Sequence, residues 1–205
     1  MDKGVAKAVN IDIDDGVLVE RCRQGDSAAM ERLILKYQDR IYNVILRICK
    51  NTDDAAELTQ ETFVKIIKKI NEFEGRSSFY TWAFRIAVNL TLNYCQRNVR
   101  FKHQSLDTED NEYNRQARRE LKEFLTDESS PDPAVVAQNK ELCGMVVEAL
   151  MKLDDAHRAV LVLRDIEGMN YARIAEVLDI ELGTVKSRLS RARRNLRKIM
   201  EANLR

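Results

Sequence analysis

Apolar residues recur at spacings of three and four along most of the chain, and this period predicts an all-α protein. Glycine and proline are scarce, so few positions break the helices. Gly16 to Gln24 reads as a short helix stopped by Gly25. Asp26 is placed to cap a long helix whose core stripe is Met30, Leu33, Ile34, Tyr37, Ile41, Val44, Ile45 and Ile48. A third helix begins after Thr52-Asp53, with Ala55, Leu58, Thr59, Thr62, Phe63, Ile66, Ile67 and Ile70 on its buried side. Gly75 to Ser78 reads as a loop, and Ser78 as the cap of a helix from Phe79 to about Arg97. From Gln104 to Pro133 the period weakens and the residues turn acidic and polar, although Glu112 to Leu125 keeps some helical character. Beyond it one helix carries Val135, Val136, Leu142, Cys143, Val146, Val147 and Leu150. Asp154 or Asp155 starts another through Val160, Leu161 and Leu163, which Gly168 closes.

This pattern divides the chain into an N-terminal extension (1–15), a helical domain (16–103), a flexible linker (104–133) and a second small helical domain (134–205). A hydrophobic content of 44% is enough for two packed cores. Met1 to Asp15 is acidic without an apolar run, so it is neither signal peptide nor membrane span; a cytoplasmic chain with reduced thiols is expected. Cys22, Cys49, Cys95 and Cys143 are widely separated, with no CxxC and no neighbouring His, and read as structural. His103 and His157 lack metal-ligand spacing. With no nucleophile constellation and no phosphate-cradling glycine loop, no catalytic residue, metal or cofactor is expected.

The net charge of +1 conceals a segregation of charge. Asn170 to Lys198 has the spacing of a helix-turn-helix: Asn170 caps a first helix with Ile174, Ala175 and Leu178 inward. Asp179 takes the tight turn, where φ is positive, and Val185 plugs the joint. A second helix starting near Gly183-Thr184 then places Leu189, Ala192, Leu196 and Ile199 inward. Its outer face carries Lys186, Ser187, Arg188, Ser190, Arg191, Arg193, Arg194, Arg197 and Lys198, with no acidic residue from Leu182 to Met200. Such a helix suits a DNA major groove, where Arg pairs with guanine while Lys and Ser hold phosphates; a solvated basic face is the plainer reading. Phe73 to His103 combines Arg76, Arg85, Arg97, Arg100 and Lys102 with Phe79, Tyr80, Trp82 and Phe84, and its polar side shows Arg85, Asn89, Asn93 and Gln96. Cations with accessible rings suit single-stranded nucleic acid, whereas rings that face inward are simply core. On the third helix, Glu57, Gln60, Glu61, Val64 and Lys68 form a row off the buried stripe, read either as a partner-docking face or as ordinary surface with one exposed valine.

Three motifs, in order, are similar to the sigma-70 family and specifically to its extracytoplasmic-function (ECF) group: Asp54 to Phe63, Phe79 to Asn89, and Tyr171 to Leu196 with Gly183-Thr184-Val185-Lys186-Ser187-Arg188. The likeness spans Leu18 to Met200, with Ala83 where leucine is usual. It implies a transcription initiation factor whose region 2 domain binds the clamp of core RNA polymerase and the melted downstream promoter element, and whose region 4 domain binds the upstream element as duplex. Carried onto this chain, the resemblance assigns polymerase binding to Glu57, Gln60, Glu61, Val64 and Lys68. Contacts to the melted element fall to Arg76, Ser77, Ser78, Phe79, Arg85 and Asn89. Those to the upstream element fall to Lys186, Ser187, Arg188, Ser190, Arg191 and Arg194. An anti-sigma factor is a further implied partner; membrane insertion is not. The rival class is a conventional helix-turn-helix regulator with a helical sensing or dimerisation domain. It accounts for Asn170 to Lys198 but not for the basic-aromatic stretch from Phe73 to His103.

Overall fold

The computed structural model describes residues 14–102, 115, 118, 119, 122 and 133–203. Regular structure among these residues is helical throughout, as the apolar period predicts. Helix α1 (Asp15–Arg23) is capped by Asp14, whose carboxylate accepts from the Gly16 N–H at 3.4 Å, and it ends before Gly25 at φ 85°. Helix α2 (Ser27–Cys49) begins where the Asp26 carboxylate accepts from the backbone N–H groups of Ala28 and Ala29 at 3.0 and 3.1 Å. The Ala29 N–H and then the Arg21 guanidinium favour the charged form, holding the Asp26 carboxyl below its ordinary range. Lys50 terminates α2 in the left-handed region, φ 68° and ψ 17°, donating its N–H to Leu46.

Helix α3 (Thr52–Lys69) starts earlier than the sequence suggests, because Asn51 is the cap: its side-chain oxygen accepts from the Asp54 N–H at 2.9 Å. Thr52 is thereby drawn into the helix and buried. A 3₁₀ turn (Ile70–Glu72) follows, anchored by Arg23, which donates to the Ile70 and Phe73 carbonyls. This anchor fixes where the Gly75–Ser78 loop begins. Helix α4 (Phe79–Lys102) opens on Ser78, whose hydroxyl oxygen accepts from the Thr81 N–H at 3.2 Å, and runs past the expected end near Arg97. Helices α1 to α4 pack on one another, with Leu33, Ile41, Ile45, Ile66 and Phe84 fully buried between them. The rings at the start of α4 resolve the choice left by the sequence: Tyr37, Phe73, Phe79 and Trp82 form one cluster with centroids 5.2 to 6.0 Å apart, so they are largely core.

The second unit comprises α5 (Pro133–Lys152), α6 (Asp155–Leu161), α7 (Tyr171–Leu178) and α8 (Leu182–Asn203). Asp154 caps α6 by accepting from the His157 N–H at 2.9 Å, and a π-type turn (Val162–Ile166) continues it to Gly168. Asn170 caps α7 through the Arg173 N–H at 2.9 Å. Asp179 makes the tight turn in the left-handed region, φ 54° and ψ 49°, and Val185 is fully buried at the joint. The expected helix-turn-helix is therefore present. Two expectations are corrected: Ile67 and Leu142 face outward. Ile67 stands one position past buried Ile66, and a rotation of about 100° per residue carries it off the stripe. The expected linker lies outside the described residues apart from 115, 118, 119, 122 and 133, as does the extension before residue 14.

The two units pack against each other, α4 along α7 and the end of α2 on α6, and their buried apolar residues form one continuous cluster. Cys95 is buried near this joint, Cys49 half-buried, and burial raises their thiols to about 11 and about 12 respectively. A raised thiol pKa means less thiolate at a given pH. At about pH 8 both should react with a disulfide reagent at least roughly a hundredfold more slowly in the native chain than in urea. Thiol titration with and without denaturant, followed by mapping of the modified residues, checks this.

Candidate nucleic-acid and polymerase interfaces

Helix α8 turns Val185, Leu189 and Ala192 into the core, and the same winding places Lys186, Ser187, Ser190, Arg191 and Arg194 in solvent. Arg188 is half-buried beside them. The Ser187 hydroxyl donates to the Thr184 carbonyl at 3.1 Å, which leaves its oxygen able to accept. Lys186, Ser190, Arg194 and Arg197 join Tyr171 along a groove between the start of α7 and the middle of α8, a strip with the donors that a phosphate backbone requires. Arg193 behaves differently. Its guanidinium forks onto Asp165, with Nη2 at 2.6 Å and Nε at 3.4 Å, and these hydrogen bonds raise its pKa.

Around the start of α4 the expected contacts separate by role. Arg76 is exposed and pairs with neighbouring Glu74, and Ser77 is half-buried. The Ser78 oxygen is engaged by the cap and by the Thr81 hydroxyl at 2.9 Å. Phe79, only 3% exposed, offers no ring face outward; it belongs to the core, packed on Tyr37, Phe73 and Trp82. Arg85 is exposed and Asn89, one turn on, half-buried on the same row. Arg85 Nη2 reaches Asp179 of the helix-turn-helix at 3.2 Å. Tyr80, grouped by its sequence with the rings that suit nucleic acid, sits instead half-buried against the second unit. Its hydroxyl donates to Glu167 at 3.3 Å, Arg40 stacks over its ring at 4.8 Å, and burial together with Glu167 pushes its pKa up to about 12.

On α3, Glu57, Gln60, Glu61, Val64 and Lys68 all face solvent. Glu61 pairs with Lys65 one turn along at 3.1 Å, an exposed pair of small energetic weight. Val64 and Ile67, each 46% exposed, make an apolar strip within the row. Ile67 continues into a groove lined by Met30, Ile34 and Leu35 of α2. Its place could have been found from its winding angle, which sets it between Ile66 and the Gln60–Val64 edge.

Residues 33–101 match the family model for sigma-70 region 2, and residues 143–196 that for sigma-70 region 4. The RNA polymerase sigma-H factor of Pseudomonas aeruginosa is 35% identical over 192 residues, covering 93% of this chain and 96% of the relative. The chain belongs to the sigma-70 family. Within it, the ECF RNA polymerase sigma-E factors of Haemophilus influenzae and Escherichia coli are each 34% identical over 182 residues, 88% of this chain and 92% and 91% of theirs, which places it in the ECF group. Two solved structures share the fold: CnrH in complex with the cytosolic domain of CnrY (TM-score 0.60, 21% identity, 92% of this chain and 97% of that chain) and the sigma factor RpoE in complex with the anti-sigma factor NepR from Bartonella quintana (TM-score 0.59, 21% identity, 83% and 96%). This sigma factor is thus a transcription initiation factor that binds RNA polymerase and promoter DNA, and not an enzyme. A conventional regulator would not match region 2 over residues 33–101.

The pairing of Arg193 with Asp165 sets an order among the arginines of α8. Arg194→Ala should weaken upstream duplex binding by the sigma factor in holoenzyme and lower its salt slope by about 1, as expected for one lost phosphate contact. Arg193→Ala should leave that slope nearly unchanged. Affinities measured at several salt concentrations check both.

Proposed function

We propose that the three outward rows divide the work of initiation. The α3 row of Glu57, Gln60, Glu61, Val64 and Lys68, extended by Ile67, docks on core polymerase. The Gly75–Ser78 loop and the Arg85–Asn89 row of α4 take up the melted downstream strand. The α8 face reads the upstream duplex, with Arg188 and Arg191 at base edges and Lys186 and Arg194 at phosphates. The observation that carries this reading is that the rows on α3, α4 and α8 lie off the buried stripe of their own helices, so their polar groups reach the surface without breaking the core. The loop and α4 belong to a region 2 domain of about residues 16–103, and α8 to a region 4 domain of about 134–205.

Strand capture is the most chemically specific part of the reading. A base released from the stack exposes an edge that needs donors and acceptors, and the loop ahead of α4 offers Ser77, Arg76 and the free backbone N–H groups of a helix start. Arg85 supplies a cation for a flanking phosphate and Asn89 a polar contact one turn on. Ser78 is left to its cap.

The chain works in the cytoplasm, where polymerase and promoter are, and no helix among the described residues is long and apolar enough to cross a membrane. An anti-sigma partner is part of the proposal; CnrH was solved with the cytosolic domain of CnrY and RpoE with the anti-sigma factor NepR.

Two experiments test the assignments. Gln60→Ala combined with Val64→Glu should reduce affinity for core polymerase about tenfold or more with helix content unchanged, since a charge enters an apolar contact while the core is untouched. Full affinity in the folded double variant removes α3 from the interface. Arg76→Ala with Ser77→Ala, leaving the Ser78 cap in place, should slow open-complex formation on duplex promoter and be partly rescued on a template with a pre-opened bubble, where the unpairing cost of a few kcal/mol is already met. Unchanged opening kinetics on duplex rejects the capture site; equal loss on both templates places these residues in the fold or the polymerase contact.

A further inference from the structure

Helix α8 opens on two residues that the fold does not account for. Leu182, its first residue, is 42% exposed, although the winding that buries Leu189 carries it to the edge of the same stripe. A leucine in water is ordinary by itself. Beside it stands Gly183, also exposed and within the helix. Glycine is a poorer helix former than alanine, and a fold has use for it where the backbone takes a positive φ or where a neighbour leaves no room for a Cβ. Neither applies here. The glycines at positive φ are Gly25, Gly75 and Gly168, and among the described residues no atom beyond the helix backbone and the chain neighbours lies within 4 Å of where a Gly183 Cβ would stand. The missing side chain leaves open space on the outer side of α8, one turn ahead of exposed Ser187.

We infer that Leu182 and Gly183 together receive the C5-methyl group of a thymine in the upstream element, and so set one of its base preferences. This contact rests on the reading that the α8 face meets the upstream duplex, to which it adds two residues. Promoter DNA is already the ligand of this sigma factor. Along the major groove the base edges present donors and acceptors, and thymine alone adds an apolar group.

The first turn of α8 is unsuited to a phosphate. Glu181, Leu182, Gly183, Thr184 and Val185 bring no cation, and the basic residues begin at Lys186. What this turn offers is an apolar side chain, on the part of a recognition helix that reaches base edges when a helix-turn-helix docks. Gly183 lets a base pair approach the helix backbone closely, and Leu182 then covers the methyl group from the side, so that both shed water. Lys186, one turn beyond Leu182, is left for the phosphate that flanks the same base.

The test uses holoenzyme on a promoter that it transcribes, with each thymine of the upstream element replaced in turn by deoxyuridine, which removes the C5-methyl and nothing else. Anisotropy of a labelled duplex reads the affinity. In wild type at least one replacement should weaken binding about fourfold, the factor that burial of one methyl-sized group carries. In Leu182→Ala that replacement should no longer matter, while Leu182→Met, which keeps the apolar reach, should retain the preference. Gly183→Ala should hold or raise the melting temperature of the full chain and yet weaken binding to the thymine-containing duplex by about fivefold or more, as overpacking of a close contact does. If no replacement weakens wild type, or if the sensitive thymine stays equally sensitive in Leu182→Ala, the methyl contact is overturned. Full affinity in Gly183→Ala overturns the close approach. A lower melting temperature in Leu182→Ala with the thymine preference intact makes Leu182 a residue of the fold and overturns its role in reading. Failure of the underlying reading looks different: Arg194→Ala would then leave duplex binding and its salt slope untouched. With that reading sound and this contact wrong, Arg194→Ala weakens binding while Leu182→Ala keeps the thymine preference of wild type.

Discussion

The guanidinium of Arg158 lies 1% exposed where the ends of two helices meet a third, and its donors go to main-chain carbonyls that helix termini leave without partners. Nε donates to Leu150 at 3.0 Å and Nη2 to Leu153 at 2.6 Å, both at the end of α5; Nη2 also reaches Asp155 at 2.8 Å, and Nη1 donates to Ile48 in the last turn of α2. One side chain therefore completes the C-terminal end of a region 2 helix and of a region 4 helix together. A buried cation is tolerated here because each of its three nitrogens is hydrogen-bonded and Asp155 balances its charge; stripped of partners, it would cost several kcal/mol. The seating of α6 against the end of α2 depends on that satisfaction of carbonyls.

Away from the joint, each helix is divided between a stripe that folds the chain and a row that is left over. Helices α3 and α8 show the principle most plainly. On α3, Leu58, Phe63 and Ile66 are buried and Gln60, Val64 and Lys68 are not; on α8, Val185, Leu189 and Ala192 are buried and the arginines are not. The residues that burial does not need are the ones left available to partners. Arg193 shows the limit of this rule: it faces solvent with the other arginines, yet Asp165 claims it for the fold. Helix α4 is the exception, since aromatic core at its start, the polar row along its side and the contact with α7 compete for one surface.

The two kinds of contact at the domain joint carry different consequences. Apolar burial between the units supplies adhesion in proportion to area and has little preference for one register. The Glu167 cluster has strict geometry, with three donors from two helices meeting one carboxylate, and fixes how α7 sits on α4. Charged groups retained at an interface in this manner set orientation more than they add stability.

The sequence by itself determined the helices, several of their caps and the helix-turn-helix, because those depend on neighbours within about four residues: an apolar period, Asp26 ahead of α2, Ser78 ahead of α4, Asn170 ahead of α7, and Asp179 at the tight turn. It also placed the outward rows of α3 and α8, which follow from winding alone. Tertiary structure decided what winding leaves open. Whether Phe79 and Trp82 meet DNA or the core depended on Phe73 and Tyr37 arriving from elsewhere in the chain. Ile67 turned outward because, among the described residues, no helix packs over that edge of α3. Arg47, Arg158 and Glu167 looked like ordinary surface charges, since a charged residue reads as exposed until a partner far along the chain, such as Glu167 for Arg47 or Ile48 for Arg158, makes its burial affordable.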